Sequence, residues 1–537
     1  MRGWRLRADR VDIVTLPRPG SRCATLGSAR NSQTEMEAFA MHRPGKARSM
    51  ALAAVWMVAA VACLASPALA GSLQGRLDRL INESRLKDRI ALSVTLLDAQ
   101  SGDDLGTHQP DQQLIPASNM KILTSGTAAW VLGPTFVFET TVVRIGDQIV
   151  IRGAGDPALA DPDLLRQMKL SVDQFLDIWV DAIVKSGPAP REVIVDDRVF
   201  DREWVHPTWP TAQLNRSYCA EVSGLNFHRN VISVFAKPEA VGRSPTISLE
   251  PAAPWMNIRN QASSVGRDKR HTAWASRPPA SNDITLHGDV RYATSPVEVT
   301  IHDNPAHVAR LVAERVATKT GAKVASRAAG ADEVLTGGTI LHVVRTALPT
   351  ALERCNMESE NLYAESLLKR IGREVTRSPG SWNTGAAVVR MHLIERLGPE
   401  AGSDAIVADG SGMSRENRVT TRLLAQWLRS LQADERTSEI FFASLPRAGQ
   451  EGTLDKRFSG VKLNNDVRAK SGYLSGVSAL SGYVTDPATG RRAVFSIIAN
   501  DKPNSIPLTD VRKLEEKIVA LLDAWVTEQA AAPRLGG

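Results

Sequence analysis

The sequence predicts a mixed α/β (α+β) catalytic domain built from both ends of the chain, with a large β-rich insertion between them. Three observations predict it. A strand pair and an apolar helix precede residue 138, short β-patterned runs dominate 138–345, and helical patterns, a β-meander and a closing helix fill the rest. The length of 537 residues suits two to four domains. With 43% hydrophobic and 23% charged residues, a disordered or collagen-like chain is excluded. One apolar run, near the N-terminus, approaches spanning length, which excludes a polytopic membrane protein.

The chain opens on what reads as a leader. Arg43, Lys46 and Arg48 precede the apolar run Met50 to Ala65 and the small-residue site Ala68-Leu69-Ala70. A charged segment, an apolar stretch and an A-x-A site identify 41–70 as a signal peptide cleaved after Ala70, with an uncleaved anchor the weaker alternative. Residues 1–40, ahead of a possible start at Met41, are expected to be disordered and to belong to no domain. Residues 1–50 hold ten Lys+Arg against four Asp+Glu, so +6 of the net +7 lies there. The remaining body is nearly neutral, and no nucleic-acid partner is expected.

After the leader, 90–97 reads as a strand and Asp98 to Asp103 as a turn into a second strand. Met120 to Leu132 reads as a buried helix stopped by Gly133-Pro134. Helices are expected near 172–185 and 305–319 within the β-rich region, and at 346–371, 384–397 and 420–432 beyond it. The meander spans 467–499 and the last helix Asp510 to Gln529. These elements divide the chain into a catalytic domain (71–140 and 346–530), an insertion (141–237 and 286–345) and a small, loop-rich subdomain nested in it (238–285). Trp130, Trp179 and Trp525 fall on apolar helical faces and are expected in the core. The final helix is read as packing on the sheet, with at most peripheral membrane contact.

Of four cysteines, only Cys219 and Cys355 lie beyond the leader, which excludes a disulfide framework and leaves their pairing open. The ten histidines show no H-E-x-x-H or paired Cys/His spacing, so neither a metal nor a cofactor is predicted.

A hydroxyl nucleophile needs a base, and Ser-x-x-Lys on a helix sets Lys one turn from Ser on the same face. The pattern occurs at Ser84, Ser118, Ser366 and Ser459. Only Ser118 opens an apolar helix, where the N-terminal dipole favours developing negative charge and burial lowers the pKa of Lys121. Ser-x-Asn occurs at Ser359/Asn361, inside a helical pattern, and at Ser381/Asn383, in a Gly/Pro-flanked loop. Lys-[Ser/Thr]-Gly occurs three times. At Lys185 and Lys319 it ends an amphipathic helix and reads as C-capping. At Lys470-Ser471-Gly472 it lies in the meander, where a strand edge could offer an ammonium, a hydroxyl and a backbone N–H to a bound carboxylate and carbonyl.

Ser118/Lys121, Ser359/Asn361 and Lys470/Ser471/Gly472 stand in the order of the penicillin-binding and class A β-lactamase signature. Further stretches make the likeness specific: Gly155-Asp156-Pro157, Ser359 to Glu365 (SENLYAE), Asp409 to Arg415 (DGSGMSR), Ser444-Leu445-Pro446, Gly452-Thr453-Leu454 and Leu480 to Val484. The chain resembles the class C low-molecular-mass penicillin-binding proteins, the D-alanyl-D-alanine carboxypeptidase/endopeptidase family. The departures are Ser471 for the usual Thr, Glu360 at a variable position and Met413 for the usual Leu.

The resemblance implies a serine β-lactamase/penicillin-binding-protein-like transpeptidase domain. It also implies a periplasmic enzyme acting on peptidoglycan stem peptides and acylated by β-lactam antibiotics. In that reading Ser118 is the nucleophile and Lys121 its base. Ser359 relays a proton, Asn361 orients the substrate amide, and Lys470 and Ser471 hold the terminal carboxylate beside Gly472. The N–H groups of Ser118 and Tyr473 form the oxyanion hole. Asp156 either holds a side-chain ammonium of the substrate or stabilises its own turn, and Arg415 either binds a substrate carboxylate or forms a surface ion pair. A serine β-lactamase would need a deacylating Glu in an E-x-x-L-N pattern, which is lacking between the second and third motifs. A silent peptidoglycan-binding scaffold would have lost Ser118, Lys121 or Lys470.

Overall fold

A five-stranded antiparallel sheet joins the two ends of the chain. Its order is Asp466–Leu474, Val477–Thr485, Arg492–Asp501, Ile90–Asp98, Asp104–His108, so the meander pairs directly with the first strand pair. The computed structural model describes residues 13–15, 71–293, 295–501 and 506–531, and the segment read as a signal peptide lies outside them. Strand Val477–Thr485 is buried along its whole length because both sheet faces are covered. Alternation sends Leu480, Val484, Phe495 and Ile497 to one face, against helices Leu73–Asn82 and Leu508–Ala531. It sends Ala479, Tyr483, Val494 and Ile498 to the other, against the helical layer around Met120–Leu132. That helix is buried from Met120 to Ala129, which explains why its sequence is apolar all round.

The insertion has its own sheet, ordered Thr339–Ala347, Val137–Ile145, Gln148–Arg152, Glu192–Asp196, Ala325–Ala328. Residues 13–15 add a short parallel strand beside Val343–Arg345, an exception to the expectation that 1–40 joins no domain. Helices Val172–Lys185 and Asn304–Thr320 pack on this sheet. The first starts with a Ser171/Gln174 capping box, and the second ends at Gly321 with φ 72°. The boundary strands 137–145 and 339–347 pair along their length, so the insertion begins and ends at their outer ends and not within them, at 140/141 and 345/346.

The nested segment is less separate than its composition suggests. Its Ala253, Ala262, Ala275 and Ile284 share one core with Trp179, Phe175 and Phe227, whose rings lie 5.2–6.3 Å apart. Of the three tryptophans expected in the core, Trp179 is fully buried. Trp130 and Trp525 are half-buried, capped by Arg396 and Arg491 respectively: Trp130 lies in the last turn of its helix, past the buried stretch, and Trp525 beside the buried face of its own. Trp179→Ala should cost about 3–5 kcal/mol of unfolding free energy in a denaturant titration, and a cost below ~1 kcal/mol would contradict this description of the insertion core.

Candidate active site

Residues Ala117–Asn119 form a 3-10 turn that runs straight into helix Met120–Leu132. Ala117 adopts φ 46°, and opposite it Gly412 has φ 84°. A Cβ on Gly412 would fall 1.8 Å from the Ala117 carbonyl oxygen, so this glycine is needed for the two segments to meet. Ser118 is left partly exposed at the helix N-terminus, while Lys121, one turn on, is wholly buried.

The Lys121 Nζ lies 3.1 Å from Ser118 Oγ, 2.7 Å from Asn361 Oδ1 and 3.0 Å from the Ser411 carbonyl oxygen. Two of these partners can only accept hydrogen bonds. A neutral amine has two N–H groups and one lone pair, so donating to Asn361 and Ser411 leaves the lone pair facing the Ser118 hydroxyl. Burial pushes the Lys121 ammonium down from the ordinary lysine value, against the opposing pull of neighbouring groups that include Glu365 and Asp409. Desolvation favours the uncharged amine, and the geometry then leaves its lone pair for Ser118, as a base requires.

The 346–371 pattern is not one helix. Leu348–Met357 and Asn361–Thr376 are separate, and Ser359 lies at the break with φ 62°, a left-handed conformation. On a continuous helix two residues diverge by about 200°, so Ser359 and Asn361 could not have faced one site. The break removes that conflict. Asn361 reaches Lys121, and its Nδ2 donates to the Tyr218 carbonyl at 2.9 Å.

Strand Asp466–Leu474 forms the sheet edge along the site. The Lys470 Nζ donates to Ser359 Oγ at 2.9 Å and to the Ser471 carbonyl at 2.8 Å. Burial, reinforced by Lys121, pushes the Lys470 ammonium well below its ordinary value. The Ser471 hydroxyl donates to Thr453 Oγ1 at 2.9 Å, and Asn119 Nδ2 ties the strand to the nucleophile turn through the Lys470 carbonyl at 2.9 Å. A Cβ on Gly472 would stand 3.1 Å from the Ser118 nitrogen and 2.8 Å from the Pro116 oxygen, so the strand approaches the serine amide as closely as backbone allows. Tyr473 follows, 55% exposed at the rim.

A buried carboxylate layer supports this arrangement. Glu365 accepts from the Gly410 and Ser411 N–H groups, each at 2.8 Å, and from Trp382 Nε1 at 2.8 Å. Asp409 accepts from the Gly412 and Ser414 N–H groups, from Trp209 Nε1 and from Asn417 Nδ2. Together they fix the turn whose Ser411 carbonyl meets Lys121. Burial and the nearby Asp409 raise the Glu365 carboxyl to about 7.

The model of the D-Ala-D-Ala carboxypeptidase 3 (S13) family matches residues 73–524. The chain belongs to this family. By membership the S13 protein is a serine-type D-Ala-D-Ala carboxypeptidase, a hydrolase among the class C low-molecular-mass penicillin-binding proteins. It is 29% identical over 525 residues to a D-alanyl-D-alanine carboxypeptidase of Actinomadura sp. (strain R39), covering 91% of this chain and 92% of that one. It is 22% identical over 403 residues to the D-alanyl-D-alanine carboxypeptidase DacB of Haemophilus influenzae, covering 71% and 79%. The crystal structure of penicillin binding protein 4 from H. influenzae shares the fold, with a TM-score of 0.66 at 19% identity over 83% of this chain and 99% of that one.

The remaining sequence candidates of the S13 protein lie apart from the Ser118–Lys121–Lys470 cluster. Asp156 is 1% exposed. Its Oδ1 accepts from the Ala158 N–H in its own loop and its Oδ2 from Thr346 Oγ1 on strand Thr339–Ala347, so both oxygens are engaged inside the fold. Arg415 is exposed and donates to the Ser475 carbonyl, in the turn just beyond Tyr473, and not to an acidic partner. Ser381 is not a loop residue but the capping-box N-cap of helix Trp382–Leu397. Lys369, of the Ser366 pattern, is held by Asp201 and lies 3.8 Å from the Trp382 ring. Cys219 and Cys355 are buried and free. Sequence reasoning gave no role to Asn119, Tyr218 or Glu365. The tyrosine contributes only a carbonyl, brought in by tertiary structure, and leaves no sequence signal.

Burial raises the Asp156 carboxyl to about 6. A carboxyl with a raised folded-state pKa favours folding fully only below its unfolded value, and that contribution is lost as pH rises through the folded value. Asp156→Asn removes this titration, so relative to wild type it should gain stability between about pH 4 and about pH 6 and then level off. Thermal denaturation across this range checks it, and a pH-independent difference would contradict it.

Proposed function

We propose that the protein hydrolyses the bond between the last two D-alanines of peptidoglycan stem peptides through a Ser118 acyl-enzyme, in the periplasm after export by its 41–70 segment. The observation that carries the reading is the buried Lys121 Nζ 3.1 Å from Ser118 Oγ, whose neutral form can donate to Asn361 and Ser411 and keep its lone pair for the serine. As Ser118 Oγ bonds to the carbonyl carbon, Lys121 takes the serine proton. The Ser118 and Tyr473 N–H groups receive the oxyanion, a contribution of about 3–4 kcal/mol per donor in comparable sites. The C–N bond breaks, and the proton passes by way of Ser359 to the departing D-alanine amine. Water, deprotonated by Lys121, then attacks the ester, returns Ser118 to its hydroxyl and frees the shortened peptide.

Lys470 and Ser471 hold the terminal carboxylate, whose arrival offsets the burial that depresses the Lys470 charge. Asn361 orients the substrate amide. D,D-endopeptidase action on cross-links uses the same acyl-enzyme with a side-chain amine in place of D-alanine as leaving group. A β-lactam reproduces the dipeptide, and its opened ring stays attached, which accounts for long-lived acylation. The crystal structure of the H. influenzae relative in complex with a β-lactam supports this part of the reading.

Incubation with benzylpenicillin followed by intact-mass measurement tests the proposal. Wild type should gain one penicilloyl mass and Ser118→Ala none, and the wild type should release D-alanine from a soluble pentapeptide. An unmodified wild type with intact penicillin would favour a silent scaffold, and rapid penicillin hydrolysis without an adduct a β-lactamase.

A further inference from the structure

Among the described residues the exposed aromatic side chains are Tyr218, Trp274, Tyr292 and Tyr473. Tyr218 and Tyr473 flank the active site through the contacts given above. The other two lie in the insertion, far from Ser118 in sequence, Trp274 on the first strand of a hairpin and Tyr292 beyond its second strand, and each is stacked on a histidine. The Trp274 and His287 ring centroids are 4.2 Å apart with planes at 15°, and His271 and Tyr292 are 4.8 Å apart at 12°. Stacking covers one ring face and holds the side chain still, yet Trp274 and Tyr292 remain 44% and 46% exposed.

The three-stranded sheet Trp274–Ser276, Ile284–His287, Ile258–Asn260 has one buried face, with Ala275, Ile284 and Leu286 in the insertion core. Strand alternation puts Trp274, Ser276, His287 and Arg259 on the other face. There they are linked. His287 Nε2 lies 2.9 Å from Ser276 Oγ, and the Gln261 amide, in the orientation that satisfies both of its ends, donates to His287 Nδ1 at 3.3 Å and accepts from Arg259 at 3.1 Å. The surface therefore presents a fixed aromatic plane beside a guanidinium and a carboxamide. Residues 257–294 also hold six Lys+Arg against three Asp+Glu, in a body that is otherwise nearly neutral, and with Arg277 buried beside Glu221 five of the six are exposed.

We propose that this outer sheet face is an accessory binding surface for peptidoglycan itself, an aminosugar polymer bearing acidic stem peptides. Sugar rings present apolar C–H faces that pack on aromatic planes, and their hydroxyl and acetamido groups match planar amide and guanidinium donors. The stem-peptide carboxylates complement the local positive charge. The choice of polymer rests on the reading of the Ser118 site as a peptidoglycan peptidase. The surface would hold the enzyme on its insoluble substrate without touching the scissile bond.

The test separates binding from catalysis. Penicillin-blocked protein is pelleted with insoluble peptidoglycan sacculi, and in parallel unblocked protein is assayed for D-alanine release from a soluble pentapeptide. Trp274→Ala/Tyr292→Ala and Arg259→Ala should each weaken pelleting, the double variant by about ten-fold, with release from soluble peptide unchanged as evidence of an intact fold. Variants that pellet like wild type would overturn the inference, as would a wild type that ignores sacculi but binds phosphatidylglycerol vesicles. A wild type that pellets but releases no D-alanine would sink the catalytic reading and leave the binding surface standing.

Discussion

The arrangement depends on one desolvated amine. Lys121 draws its partners from three places in the chain: Ser118 from its own helix, Asn361 from the start of the next motif, and the Ser411 carbonyl from a glycine-rich turn. In water the ammonium would be charged and useless as a base. Enclosed by apolar helices, it is biased toward the neutral form, which can donate to Asn361 and Ser411 and keep its lone pair for Ser118. The residues around it follow from this requirement: an apolar helix to bury it, a glycine at 412 to let the turn approach, and Glu365 with Asp409 to fix that turn by its backbone amides.

The insertion is integral to this site. It supplies the Tyr218 carbonyl that holds the Asn361 carboxamide, and Trp209, whose indole bonds to Asp409. Arg229 pairs with Glu360, between Ser359 and Asn361, while Asn226 bonds to Ser366 and Asp201 to Lys369 further along the same helix. The helix carrying the second motif is therefore clamped by the insertion at its start and along its length. An insertion of this size is retained without contributing a catalytic side chain because it determines where one is held.

Periodic features were legible in the sequence. The buried helix Met120–Leu132, helix Val172–Lys185 and the meander came from apolar spacing, caps and stop signals, and a domain built from both chain ends from their order, while the pairing of those ends in one sheet was not read. The chemistry came from three short motifs whose order carried more than any one of them. What escaped was non-periodic. The left-handed kink at Ser359 interrupts a stretch of good helix formers, so local propensity hid it and tertiary contacts impose it. For Asp156 the sequence left a substrate-binding and a turn-stabilising role open, because it does not show that Thr346, 190 positions away, closes over the carboxyl. The nested segment looked separate because its Pro, Ser and Ala content conceals the few apolar residues that join it to the core around Trp179.

The account stands or falls on the charge of Lys121, and the pH dependence of the Ser118 acylation rate by a β-lactam reads that charge directly. The rate should rise with pH and level off below the ordinary lysine range, since the base is neutral there. A rate that keeps climbing until the pH of an ordinary lysine, about 10.4, would show that Lys121 holds its proton through the working range and would contradict its assignment as the base.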